Sequence, residues 1–397
     1  MIRLRATARA YAGEVTSSSA RARRPDGTSG WVIGHAAGAP VVLAPSWLLA
    51  AFVLTLLFAP TVRALAPEIG NTATYLVALS FVVLLFVSVF LHELAHGFVA
   101  RARGLEVREF AITLWGGHTA FGGAAPTPGA SALIAVVGPL TNLVVAAVCW
   151  FGAQAAAGGG LLGLILYSGA IANAFVAAFN LVPGLPLDGG RVLEALVWRI
   201  SGERTRGTAV AGWAGRLVAV GFVVWAIGLP LLRGERPDLF TLGWAALIGM
   251  FLWSGATQAI KGATSQRTVD SLTIASVVRP AVSVPASASL AQAEAAAIAA
   301  GVDQVVLLAP DGRPAAYVDP EAARAVPTSA RATTAVHAVS IGLPEGATVD
   351  GTLTGPGLLS GIGQASRLSP VLAVLTGARV TGVIVVSDVV SVLNPRR

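Results

Sequence analysis

Between Thr74 and Ala100 the chain carries one formally charged residue, Glu93, and the run from Leu76 to Leu91 is apolar except for Ser80 and Ser88. A helix needs about 20 such residues to cross the hydrocarbon core of a bilayer. A stretch like this cannot lie on the surface of a soluble domain, so it commits this part of the chain to a membrane. The whole sequence agrees. Charged residues make up 12% of the 397 and hydrophobic ones 55%, with a mean hydropathy of +0.73, whereas soluble chains carry about 25% charged residues. Most of the apolar excess falls between about residues 40 and 260.

Six spans are predicted, at about 46–62, 73–103, 130–156, 161–183, 208–232 and 239–260. Arginine-rich ends at 1–30, 101–108, 191–206 and 261–267 fall on alternate loops, which places both termini in the cytoplasm. Residues 1–40 read as a cytoplasmic arm with a short strand at Trp31–Ile33, and 41–263 as the membrane domain. The segment 104–128 is not a span: Val107–Trp115 alternates weakly, and glycines and prolines follow. It reads as a strand or hairpin, which at membrane depth must line a protected cavity. The net charge of +7 sits beside the membrane, since residues 264–397 hold nine arginines and nine acids. No basic domain of the kind nucleic-acid binding requires is present. Cys149 is the only cysteine, which excludes a disulfide framework or a cysteine metal cluster.

The second span holds His92-Glu93-Leu94-Ala95-His96. Histidines four apart share one helix face, and H-E-x-x-H on a helix is a zinc motif in which the glutamate serves as general base. With five His and eleven Glu in the chain, a random match has an expected count of roughly 0.002. Three ionisable groups within an apolar helix are expensive and mark a functional site. A catalytic zinc takes three protein ligands and keeps one position open. Asp188, the only charged residue from Gly129 to Gly190, is the candidate for the third. Pro183 and Pro186 break the helix ahead of it, and Gly189-Gly190 lets the backbone turn closely. Seven residues separate His96 from Arg103, putting the site roughly 10–15 Å inside the cytoplasmic face. Asp188, just ahead of Arg191, reaches a similar depth.

Taken together, His92-Glu93-x-x-His96, Gly138-Pro139-Leu140-Thr141-Asn142 and Asn180 to Gly190 resemble the site-2 protease family of intramembrane zinc metalloproteases, over about residues 30–260. The resemblance implies one zinc per chain on His92, His96 and Asp188, with Glu93 as base. It implies that Asn142 acts on the substrate or transition state, that Asn180 helps bind the substrate, and that Gly116 and Gly117 belong to a strand-like loop by the active site. His118 beside them reads as a loop histidine. The implied substrate is a transmembrane protein such as an anti-sigma factor, cut in regulated intramembrane proteolysis.

Residues 268–330 and 331–397 each read as strand, turn, strand and helix, with Gln304–Leu308, Pro314–Val318, Val371–Leu375 and Val380–Val386 as strands, which suggests a duplication. Residues 351–364 are Gly-rich and poorly patterned. The pair resembles tandem CBS domains. Gly382 to Asp388 follows their pattern with Val385 in place of threonine, and Asp388 matches the aspartate that contacts ribose in nucleotide-binding members. The first repeat, at Ala316-Tyr317-Val318-Asp319, lacks the glycine, which favours a structural or homodimerising module over an adenine-nucleotide site. The expected fold is thus a polytopic α-helical membrane protein with a C-terminal α/β pair of CBS-like repeats. The rival function is a CBS-regulated metal transporter or channel using the same buried ligands for permeation.

Overall fold

A computed structural model describes residues 28–114, 116–156 and 160–393. The arginine-rich arm up to residue 27, Trp115 and most of the Gly158-Gly159-Gly160 break lie outside the described residues. The chain divides into two compact units, Met1–Ile260 and Lys261–Arg397.

The first unit begins with strands β1 (Trp31–Ala36) and β2 (Ala39–Leu43), so the strand expected at Trp31–Ile33 is longer and paired. Then follow α1 (Ser46–Leu65), α2 (Asn71–Ala102), β3 (Val107–Thr113), β4 (Gly116–Phe121), α3 (Pro128–Ala155), α4 (Gly160–Asn180), α5 (Asp188–Ser201), α6 (Arg204–Leu232) and α7 (Leu239–Asp270). All but α5 are long and apolar enough to cross a membrane, six in number among the described residues. Their outward faces stay apolar, as at Phe151 and Leu217, because lipid is their solvent. This is a multi-pass membrane protein.

Helix α2 is the axis of this unit. Its buried residues form two stripes at four-residue spacing: Thr74, Ala78, Val82 and Phe86, then Ser88, His92, His96 and Ala100. The first stripe ends among Ala50, Ala51 and Ile112, and Phe86 stacks edge-on against Trp47 at 5.2 Å. The second stripe carries the zinc motif.

The four-stranded sheet runs β1-β2-β3-β4, with β2 and β3 parallel and the other pairs antiparallel. Val41, Val107 and Phe110 form its core, against Phe90 and Leu94 of α2. Gly97 is what lets the sheet approach: a Cβ there would overlap the Phe110 ring. The hairpin expected at 104–128 therefore exists, and its second strand, β4, forms one edge of the sheet.

The second unit contains β5 (Val278–Pro285), α8 (Leu290–Ala300), β6 (Gln304–Leu308), β7 (Pro314–Val318), α9 (Pro320–Ala325), β8 (Ser340–Gly342), β9 (Thr348–Asp350), α10 (Gly355–Ala365), β10 (Val371–Thr376), β11 (Arg379–Val385) and α11 (Val386–Leu393). They build a seven-stranded sheet ordered β8-β7-β6-β5-β11-β10-β9. Ser289 and Gln292 form the capping box that starts α8, and Gly301 at φ +65° ends it. The order strand, helix, strand, strand, helix occurs twice, first as β5 to α9 and then as β9 to α11. In both, the first two strands are parallel and the last two antiparallel. The stretch 351–364 that had looked unpatterned contains α10. Its buried side chains Leu358, Ile362 and Ala365 keep helical spacing, with Gly361 and Gly363 between them.

Candidate metal centre

Three side chains from distant parts of the sequence meet beneath α3. His92 Nε2 lies 3.0 Å from His96 Nε2, and Asp188 Oδ2 lies 3.1 Å from the first and 3.4 Å from the second. Helix spacing sets the first pair. Asp188 arrives because α4 stops at Asn180 and a tight turn returns the chain to the start of α5. That turn folds against small residues. A Cβ at Gly189 would stand 2.5 Å from Val182 O, and one at Gly190 would strike the Gly184 backbone. The Leu185–Pro186 peptide within it is cis, and Leu185 N donates to Ala211 O of α6 at 3.0 Å.

The outer nitrogens of the histidines define their tautomers. His96 Nδ1 lies 2.5 Å from Ile134 O, a carbonyl that can only accept, so Nδ1 carries the proton and Nε2 presents a lone pair. His92 Nδ1 lies 2.5 Å from Asn142 Oδ1 and is placed in the same way. Asp188 Oδ2 is buried and has no hydrogen-bond partner. Three ligand atoms thus converge on one point, an arrangement that a bound cation would satisfy. Ligands at about 2.0–2.2 Å from a tetrahedral zinc stand about 3.3–3.6 Å apart, close to the spacings here, and His2Asp is a fitting donor set. Among the described residues this is the one cluster of three or more such side chains placed to hold a metal.

Space is reserved for it. Gly138 of α3 faces the pair, where a Cβ would lie 2.6 Å from His92 Nε2 and closer still to His96. A cavity of about 400 Å³ opens from the three ligands and is lined by Glu93, Gly116, Gly117, His118, Thr119, Asn180 and Arg191, with apolar walls from Phe175, Phe179 and Phe251. Glu93 Oε2 accepts a hydrogen bond from Thr119 Oγ1 at 2.7 Å. A Cβ at Gly117 would lie 2.6 Å from Glu93 Cγ, so glycine there lets β4 pass beside the carboxylate.

Residues 80–162 and 153–224 match the model of peptidase family M50. The candidate zinc metalloprotease sll0528 of Synechocystis sp. is 32% identical over 255 residues, covering 62% of this chain and 64% of its own. The candidate zinc metalloprotease Rip3 of Mycobacterium tuberculosis is 39% identical over 181 residues, 44% of each. The chain spans less than two thirds of the length of these curated relatives. The solved site-2 protease from Methanocaldococcus jannaschii is 24% identical, with a TM-score of 0.41 over 58% of this chain and 94% of its own.

Of the residues singled out from the sequence, His92, Glu93, His96, Gly116, Gly117, His118, Asn180 and Asp188 all border the cavity. Asn142 does not. It is fully buried behind His92, where its oxygen meets His92 Nδ1 and its nitrogen meets Ser88 Oγ at 2.8 Å and Asn173 Oδ1 at 3.0 Å. Its amide is committed on both sides and leaves nothing for a substrate. Asp388, in the second unit, is ion-paired with Arg279 Nη2 at 2.7 Å. Sequence reading missed Thr119, Ser88 and Asn173. Ser88 had a signal, lying one turn before His92 on the same face, whereas Thr119 reaches Glu93 through a strand pairing that no local pattern announces.

Proposed function

We propose that this chain is an intramembrane zinc metalloprotease that hydrolyses peptide bonds in or near the transmembrane helices of membrane proteins. The observation that carries this reading is the buried triangle of His92, His96 and Asp188 in a membrane-spanning bundle, with Glu93 beside it. Zinc held there supplies Lewis-acid chemistry, polarising a carbonyl and lowering a water's pKa toward about 7. The protein supplies the rest. Glu93 takes the proton from the attacking water and delivers it to the departing amine. Thr119 holds one Glu93 oxygen at 2.7 Å, which restrains the carboxylate at the cavity wall. Asn180, whose Nδ2 donates to Val176 O at 3.1 Å, lines the cavity and suits contact with a substrate amide.

A helical substrate must unwind before its carbonyl can be reached. The edge strand β4, which contributes Gly116, Gly117 and Thr119 to the cavity wall, suits an extended segment added by strand pairing. A membrane-bound regulator such as an anti-sigma factor fits that chemistry. Both termini lie in the cytoplasm in this reading, on the side of the arginine-rich ends. The second unit is a tandem CBS pair that dimerises the chain rather than binding an adenine nucleotide, since the Asp388 carboxylate is engaged by Arg279. No observation favours transport of metal over hydrolysis.

The test is cleavage of single-span membrane substrates by the purified protein in lipid, with and without a zinc chelator. Cuts within the span that vanish on chelation and return with zinc support the proposal. Zinc flux into proteoliposomes without cleavage would replace it with the transporter reading.

A further inference from the structure

The two histidines of the metal site are held in different ways. His96 is fixed by a backbone carbonyl, Ile134 O. Pro139 has no N–H for the neighbouring Ala135 carbonyl, which loosens α3 at the turn facing the motif. His92 is held by side chains alone. Asn142 Oδ1 accepts from His92 Nδ1 at 2.5 Å, and the Asn142 amide nitrogen donates to Ser88 Oγ and Asn173 Oδ1. Ser88 Oγ donates to Asn173 Oδ1 in turn, and Asn173 Nδ2 ends the chain on Gly169 O at 2.9 Å. Exposures are 2% for Ser88, 0% for Asn142 and 3% for Asn173.

We infer that Ser88, Asn142 and Asn173 form a positioning network, drawn from α2, α3 and α4, that sets the tautomer and ring orientation of His92 as a metal ligand. This rests on the zinc reading above and extends it.

Direction is what makes the network specific. A neutral imidazole with an unpaired Nδ1 can place its proton on either nitrogen, and a proton on Nε2 blocks the metal. An acceptor at Nδ1 removes that freedom, but a primary amide can present oxygen or nitrogen. Ser88 and Asn173 settle the choice: Asn173 spends its nitrogen on Gly169 O, so its oxygen faces Asn142 and requires the Asn142 nitrogen. The Asn142 oxygen is left for His92. Every polar group is satisfied, which low-dielectric surroundings demand. A mere clamp between helices would need no such direction. The network is also sealed from the cavity, so its members act through His92 and not on the substrate.

The experiment measures zinc dissociation constants by competition with a chelating indicator, using full-length protein in lipid nanodiscs. Absorption spectra of the cobalt-substituted protein accompany it. Asn142→Leu keeps the volume but removes the acceptor, and should weaken zinc on the order of 10- to 100-fold with an altered cobalt spectrum. Asn142→Asp keeps the acceptor for His92 Nδ1 but loses the donor to Asn173 Oδ1, and should recover part of the affinity lost in Asn142→Leu. Ser88→Ala, which removes only a hydroxyl, should fall between the two and keeps the proposal testable if Asn142→Leu does not fold. Wild-type affinity and spectrum in both Ser88→Ala and Asn142→Leu would overturn the inference while leaving the zinc site intact. Absence of zinc binding by the wild type would instead overturn the functional reading beneath it.

Discussion

Asp188 Oδ2 stands 3.1 Å from His92 Nε2 with no hydrogen-bond partner, although 96 residues and two membrane spans, α3 and α4, separate the two in the chain. An unpaired carboxylate oxygen facing two imidazole lone pairs is a cost to the metal-free fold and an asset to the loaded one.

That relationship predicts opposite effects of one mutation. Asp188→Ala should leave the metal-free protein at least as resistant to heat as wild type, because it removes the unpaired group. It should also abolish the stabilisation by zinc, which for the wild type reaches about 2.7 kcal/mol at a free zinc concentration 100 times its dissociation constant. Thermal unfolding with and without zinc checks both.

Gly138 keeps α3 clear of the ligands. Gly138→Ala adds one methyl 2.6 Å from His92 Nε2, inside the space the ion needs. Alanine favours a helix over glycine by about 1 kcal/mol, so the helix should form while zinc binding fails. Zinc content against circular dichroism separates the two.

Thr119 aims the base. Thr119→Val removes the hydroxyl that holds Glu93 Oε2 and leaves the three ligands untouched. Zinc content should stay at one per chain while kcat falls, on the order of 10-fold or more for a misplaced general base. Equal losses of zinc and activity would count against this role.

Away from the site, Glu194 of α5 is 6% exposed and is met by Arg204 at 2.9 Å and Thr208 at 3.0 Å, both of α6. Arg204→Met leaves the carboxylate with Thr208 as its one donor and no opposite charge, and should cost about 2 kcal/mol, the range for a buried group that loses a partner. Glu194→Gln in the same chain should recover part of it. Unfolding in detergent with a chemical denaturant gives the two differences.

Much of this was legible before any coordinates. The six spans follow from apolar length, and the motif follows from the four-residue spacing of His92 and His96. Asp188 stood out because a lone charge in an apolar run needs a reason. What stayed hidden depended on tertiary register. The motif ending at Asn142 assigns that residue to the substrate, whereas its amide is buried against His92, because a motif names a residue without saying which way its amide faces. Ser88 and Asn173 look like ordinary polar residues tolerated in spans until three helices bring them together. The helix at 355–365 was masked by its own glycines, which weaken helix propensity, although the spacing of Leu358, Ile362 and Ala365 carries the pattern.

The account stands most directly on Glu93. In protein loaded with zinc to one per chain, cleavage of a membrane-spanning substrate is compared between wild type and Glu93→Gln, which keeps the shape and loses the base. The account predicts equal zinc and no detectable cleavage by the variant. Cleavage by Glu93→Gln at the wild-type rate would contradict it.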